Sequence, residues 1–480
     1  MAAVLQLPPH PTKYVLDSAS GNHVMQHSAN AYLSFFAPLL LLASITTAPA
    51  PAAAKPPRNN NNRTEKAHRN GRSALTISTG WKIALDASDV GMKAGWQSNV
   101  PAAATGATVP GYATPDHSNT RIAWYWAPLD VPAEWKGQTV RLVFHAAAEN
   151  AMIWINGKLI GEHVGGTTPF DFNVTKSITI GGTNLLAVQL SGAPGDPIGL
   201  TQPVELISHD EAYIARSYPQ TDGFGRIAAD ILLLNTSQST GDATLESRVT
   251  PVQNPTHIVS LSNQNLHVTP GENVTQFFST VKKSEVTLWS LDNPSLYRYH
   301  LAFRQDSDIL DTIDSVVGFR YFAFSNSEKS ISLNGVKLQL SAFVAPPEFS
   351  APGPGKAEEF KAYVQAQKQA GFNVLLISAP NPTLLDIADS EGILVVEGGR
   401  PALIGARHED EIKSLVARDR SHVCILGWQA GTGSKELISS LIALDNNNHF
   451  ILTGEHNENL IPPGSTTPIT TPATLLPSGH

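Results

Sequence analysis

Ala151-Met152-Ile153-Trp154-Ile155-Asn156-Gly157-Lys158-Leu159-Ile160-Gly161 reads as two short strands joined by a tight turn. The first run is rich in β-branched and aromatic residues. Asn156-Gly157 supplies two positions that tolerate positive φ, which a two-residue hairpin requires. The pattern extends on both sides. Thr139-Val140-Arg141-Leu142-Val143-Phe144 precedes it and Asn184-Leu185-Leu186-Ala187-Val188-Gln189-Leu190 follows. Many short strands punctuated by Gly and Pro imply a β-sandwich over residues 75–208. A second β segment, residues 209–320, has strands expected near Ile227 to Leu234, Ala243 to Val249, Gln276 to Phe278 and Leu296 to Phe303. Its size and content suit an immunoglobulin-like sandwich.

After Tyr321 the grammar changes to strand–helix alternation. Strands are expected at Lys337 to Phe343, Asn373 to Ser378, Ile393 to Glu397, Ile425 to Gln429 and Phe450 to Thr453. Helices are expected at Lys356 to Ala370, Pro382 to Ser390, Glu409 to Arg418 and Lys435 to Leu444. Repeated βα units predict a parallel sheet, and helices on one side favour a barrel. A complete eight-stranded barrel takes roughly 250 residues. Residues 321–460 offer about five strands, so the expectation is a partial (β/α)8 TIM barrel. The fold class is therefore multidomain, β plus α/β.

Bulk properties narrow the function. The 480 residues exceed one ordinary core. The formal net charge of -8 excludes the basic stripes that bind nucleic acid. The one cysteine, Cys424, excludes an intramolecular disulfide framework and a Cys-rich zinc site, and reads as a buried small hydrophobe. No cofactor and no metal is implied. Residues 1–54 hold an apolar run, Ala31 to Ile45, followed by small-residue cleavage sites of which Ala52-Ala53-Ala54 is favoured. That is a signal-peptide pattern and implies a secreted or periplasmic protein. Met25 is an alternative start, and an uncleaved membrane anchor is the rival reading. Residues 55–74, and the Pro/Thr/Ser-rich tail 461–480, are expected to be disordered.

The motifs, taken in order, resemble glycoside hydrolase family 2, the β-galactosidase, β-glucuronidase and β-mannosidase family. Ala123-Trp124-Tyr125-Trp126 resembles the family's WYRR-type strand. Ile153 to Gly161, with Gly165-Gly166 and Pro169-Phe170, resembles its "VWVNGK-x-VG…GG-x-x-PF". Trp289-Ser290-Leu291-Asp292-Asn293-Pro294-Ser295-Leu296-Tyr297 is similar to "W-x-P-x-x-P-x-LY". Gly318-Phe319-Arg320 with Leu333-Asn334-Gly335 is similar to "GFR…LNG". The resemblance implies a jelly-roll sugar-binding domain, an immunoglobulin-like domain and a catalytic barrel.

Retaining glycosidases use two carboxyl groups about 5–5.5 Å apart, one to protonate the leaving oxygen and one to attack. The resemblance places the acid/base glutamate at the end of a strand-4 "NHPSI-x-x-WS-x-GNE" motif. Here Ser421 to Gly433 occupies that motif, and its terminal Asn-Glu is Thr432-Gly433. In the strand-2 motif "GFNAVRLSHYPN" the arginine has become Leu376 and the histidine Ala379. The implied nucleophile would stand on a seventh strand, beyond the last βα unit of this sequence. Glu397 and Glu455 are expected at the C-terminal ends of strands 3 and 5, with His456 and Glu458 near the second. They are remnants that could act as acid and base. Trp428 and Asn381 are ligand-binding candidates. Arg418 and Asp419 read as a structural pair, His422 as packing, and Trp124, Trp126 and Trp154 as core. Asn173-Val174-Thr175 and Asn273-Val274-Thr275 are glycosylation-type triplets.

The reading that results is an exported family 2 homologue without hydrolytic activity, with a carbohydrate-binding or scaffold role. Two rivals stay open. One is an active β-glycosidase with non-standard catalytic residues or a complementing chain. The other is a structural or interaction module, either a homo-oligomer or covered by a partner chain over the incomplete barrel.

Overall fold

The computed structural model describes residues 71–113, 121–147, 149–166, 168–193, 198–325, 327–346, 349, 356–399, 405–445, 449–454, 459–463 and 469–470, without the side chains of 405–408, 459 and 469–470. The expected signal peptide lies outside these residues, as do most of the expected linker and tail.

The first sandwich has a four-stranded and a six-stranded antiparallel sheet. Asn150–Ile155 pairs with Lys158–Val164 across Asn156 and Gly157, whose φ values of 52° and 78° are those the hairpin demands. Tyr125, Leu142, Phe144, Ile153, Val188 and Leu206 fill the space between the sheets. Ser73–Thr76 joins the smaller sheet beside Val204–His209, so its strand begins two residues before Leu75. Trp124, Trp126 and Trp154 lie in a separate cluster with Ala84 and Ala187. Trp124 stacks on Trp154 at 5.2 Å, and the segment after Asp86 straps the cluster down. Asp86 accepts hydrogen bonds from Trp124 Nε1 (3.2 Å) and the Gly91 amide (2.8 Å), and Trp126 Nε1 donates to Trp96 O (2.8 Å). These tryptophans are core, as expected.

The second sandwich packs a three-stranded sheet on a four-stranded one, within residues 212–317. The strand content and the 3+4 division are immunoglobulin-like. Arg72, at the start of the first sandwich, pairs with buried Asp311 of the second at 3.2 and 3.1 Å.

The third region is one sheet of seven strands, here labelled β1 Ala342–Val344, β2 Val374–Ser378, β3 Leu394–Gly398, β4 Ile425–Gly431, β5 Phe450–Thr453, β6 Asn459–Ile461 and β7 Ile469–Thr470. They lie in chain order; β1 to β5 are parallel and the last two antiparallel. The helices are α1 Lys356–Gln369, α2 Pro382–Glu391, α3 Gly405–Asp419 and α4 Lys435–Leu444. α1 lies against α2 and α3 against α4. Val374 to Ile377 and Leu394 to Val396 are continuous apolar runs because both faces of the strand are buried. Each such side chain contributes about 1.5–3 kcal/mol on burial. α2 starts where Asn381 Oδ1 accepts from the Thr383 amide (3.0 Å) and ends at Gly392, whose φ of 68° suits a glycine after a helix. The expected first strand is divided. Val336–Lys337 instead closes a small hairpin with Ser330–Leu333 around Asn334 and Gly335, and β1 starts later.

The N-terminal ends of the parallel strands are tied to the second sandwich by polar contacts. Arg320 donates to Val423 O and Ile425 O, both at 2.8 Å. Arg420 Nη2 meets Asp230 at 2.8 Å, and Trp289 Nε1 donates to Asp389 O at 2.8 Å.

Candidate functional site

The C-terminal ends of β2, β3 and β4 carry the positions where the sequence resemblance places a catalytic centre. Gly433 follows β4 and leads straight into α4. Its amide donates to Ala430 O at 3.1 Å. Ser434 then caps the helix, accepting from the Leu437 amide at 3.0 Å. A Cβ on residue 433 would stand 2.5 Å from Leu437 Cδ2 and 2.9 Å from Ala430 O. Leu437 is fully buried, so it has little room to retreat. The position carries no carboxyl, and a Cβ there has no free space. Thr432 beside it is exposed.

Leu376 is buried in β2, packed between Val344 and Val396 in register. Ala379 ends that strand with a φ of 44°, and its amide donates to Gly398 O at 2.7 Å. A side chain in this left-handed region carries strain of roughly 1–2 kcal/mol. Backbone strain of this kind gathers at functional sites. Here the strained backbone persists while the side chain on it has no chemistry to offer.

Glu397 is not on the open face. It lies in register with Trp428, and Gly398 with Gln429. Its charged neighbours Arg418, Asp419 and Glu411 all belong to α3, so it points into the layer between sheet and helices. It is 1% exposed. Its burial, and then the charge of Asp419, push its carboxyl well above the usual range, with Arg418 opposing. Glu455, His456 and Glu458 lie outside the described residues.

The ligand candidates are also differently employed. Trp428 is buried and meets His449 edge to face at 5.4 Å, its indole N–H without a partner. Asn381 is the cap of α2. Asn273 spends its amide on the turn it closes, donating to Thr269 O (2.8 Å) and Gly271 O (3.1 Å).

Arg418 and Asp419 form the expected pair, with Nε–Oδ1 at 2.6 Å and Nη2–Oδ2 at 2.5 Å. His422 is more than packing. Its Nδ1 meets Asp389 Oδ2 at 2.8 Å, while Asp389 Oδ1 accepts from the Cys424 amide at 2.8 Å. Burial alone would lower its pKa; the charge and hydrogen bond of Asp389, with Asp419 and Asp386 behind, outweigh that and hold it up at about 9. Asp386, Asp389 and His422 could each turn a ligand atom to one point. At neutral pH a proton on His422 occupies the place a cation would take. The sequence reading missed Asp389, although two aspartates three apart in an otherwise apolar helix face were visible in it.

The described residues form two sandwiches followed by a parallel α/β domain. The comparisons name the family. Residues 112–195 match the sugar-binding domain of glycosyl hydrolases family 2, and residues 212–320 match a further domain of glycosyl hydrolases family 2. Over these two stretches the chain carries domains of glycosyl hydrolases family 2. It is 22% identical over 375 residues to a β-glucuronidase of Formosa agariphila, covering 67% of this chain and 37% of that one. It is 25% identical over 337 residues to a β-galactosidase of Thermoanaerobacter pseudethanolicus, covering 64% and 44%. The chain thus spans about two-fifths of the length of these relatives. A family 2 structure from Bacteroides cellulosilyticus superposes with a TM-score of 0.68 at 21% identity, over 79% of this chain and 56% of that one. A family 2 β-glucuronidase superposes at 0.69 and 18%, over 80% and 46%.

Proposed function

We propose that this chain is an exported family 2 scaffold that recognises carbohydrate and does not hydrolyse it. One observation carries the reading: where the family's acid/base carboxyl would stand, Gly433 is packed against Leu437 and Ala430 O with no room for a Cβ. Loss of a general acid alone removes about 10²–10⁴ in rate. The strand-2 positions Leu376 and Ala379 add an apolar wall where the resemblance implies an arginine and a histidine. The five parallel strands lie in chain order, and their N-terminal side keeps the polar ties to the second sandwich. What is eroded is confined to the opposite, C-terminal side. That asymmetry supports a retained frame around an abandoned site. Glu397 gives the rival reading no support, because it is sealed beneath α3.

Sugar recognition is tested by a glycan-binding screen on the full chain, followed by calorimetry with the best ligand. Saturable binding of a defined glycan at micromolar to millimolar concentration is expected. Absence of binding to any glycan in the screen would overturn the recognition half of the proposal and leave a structural role.

A further inference from the structure

Among the described residues neither buried oxygen of Glu397 accepts from an N–H or hydroxyl donor, and its side-chain hydrogen-bond partner is the carboxyl of Asp419. Arg418 Nη2 lies 3.8 Å from Oε1. That guanidinium is already committed, with two bonds to Asp419 and one from Nη2 to Pro380 O at 2.7 Å. Among the described residues one cation therefore faces two buried carboxyls, with Glu411 a third acid on the same helix. β4 presents the uncharged Trp428 beside Glu397, and α2 contributes only the carbonyl that precedes it. A buried carboxylate facing a second carboxylate is far less favourable than a neutral carboxyl that donates to it.

We propose that Glu397 is a proton-dependent latch: its carboxyl must be neutral for α3 to close on β3 and β4, and rising pH loosens that layer. The direction of its titration agrees, with burial first and Asp419 second holding the proton on. A folded pKa raised above the unfolded value gives stability that is complete below the unfolded pKa, about 4.3 for a glutamate. It is lost progressively as pH rises towards and through the folded pKa. Between the two, one proton is released on opening, which changes the opening constant up to about tenfold per pH unit. The inference is independent of whether the chain binds sugar.

The test is hydrogen exchange of the full chain from pH 5 to 9, comparing α3 amides with α1 amides to cancel the intrinsic pH dependence. In the native protein, α3 should open more with each pH unit, by up to about tenfold, while α1 does not. Glu397→Gln, an uncharged isostere, should reduce that excess to the part His422 contributes, and Glu397→Leu should do the same if the amide is poorly accommodated. His422 titrates in the same direction, but its contribution is common to all three proteins and cancels. No excess opening of α3 in the native chain, or an equal excess in a folded Glu397 variant, would overturn the latch.

Discussion

Gly433→Ala separates a closed site from an open one by the sign of its effect. Gly433 is not in the left-handed region, so its backbone does not need glycine. In open space, alanine there would stabilise the protein by about 0.4–1 kcal/mol through the unfolded chain. The structure predicts the opposite. The new methyl would meet Leu437 Cδ2 at 2.5 Å and Ala430 O at 2.9 Å. The first atom belongs to a buried side chain and the second to the backbone, so neither yields cheaply. Overpacking of this kind costs about 1–3 kcal/mol. Leu437→Ala alone leaves a cavity and costs about 2–5 kcal/mol. In that background most of the clash is gone, so Gly433→Ala should be close to neutral. A double-mutant cycle by urea unfolding, read from midpoints at constant slope, should give a coupling of at least about 1 kcal/mol. A stabilising or additive Gly433→Ala would refute the argument, because the space for a catalytic side chain would then still exist.

Ala379→Gly should relieve the left-handed strain at the end of β2 and raise stability by about 0.5–1 kcal/mol after the entropy cost of glycine; a loss of more than about 1 kcal/mol in thermal unfolding would contradict the strain. Asp389→Asn should lower the His422 pKa from about 9 towards or below its ordinary value, followed by NMR titration of the imidazole. Because the folded value is raised, the His422 contribution is complete below about pH 6.5 and is lost as pH rises through about 9, so the variant's deficit should be larger at pH 6 than at pH 9.5. An unchanged imidazole titration would remove the ion pair from the account.

The elements of the α/β domain were legible because its helices carry their own start and stop signals. Ser434 and the spacing of Leu437 and Leu441 define α4 as Lys435–Leu444 from sequence, and the structure agrees. The Asn156-Gly157 hairpin was equally plain. Side-chain direction in the parallel strands was not. Leu394 to Gly398 is buried throughout, so no alternation of polarity marks which face Glu397 takes. A register shift between Val395 and Val396 removes the help that counting from a neighbour would give. Trp428 was misjudged for the same reason. Asn381 could have been recognised: an asparagine followed by proline and an apolar helix is a capping signal before it is a ligand. The loss at Gly433 was visible as a missing glutamate, but the packing of Leu437 into its place needed three dimensions.

The central claim is tested most directly by offering the purified full chain p-nitrophenyl β-galactoside, β-glucuronide and β-mannoside at high enzyme concentration over a pH series. The account predicts no p-nitrophenol above the buffer control. Turnover that follows the chain through a second, orthogonal purification step would contradict it.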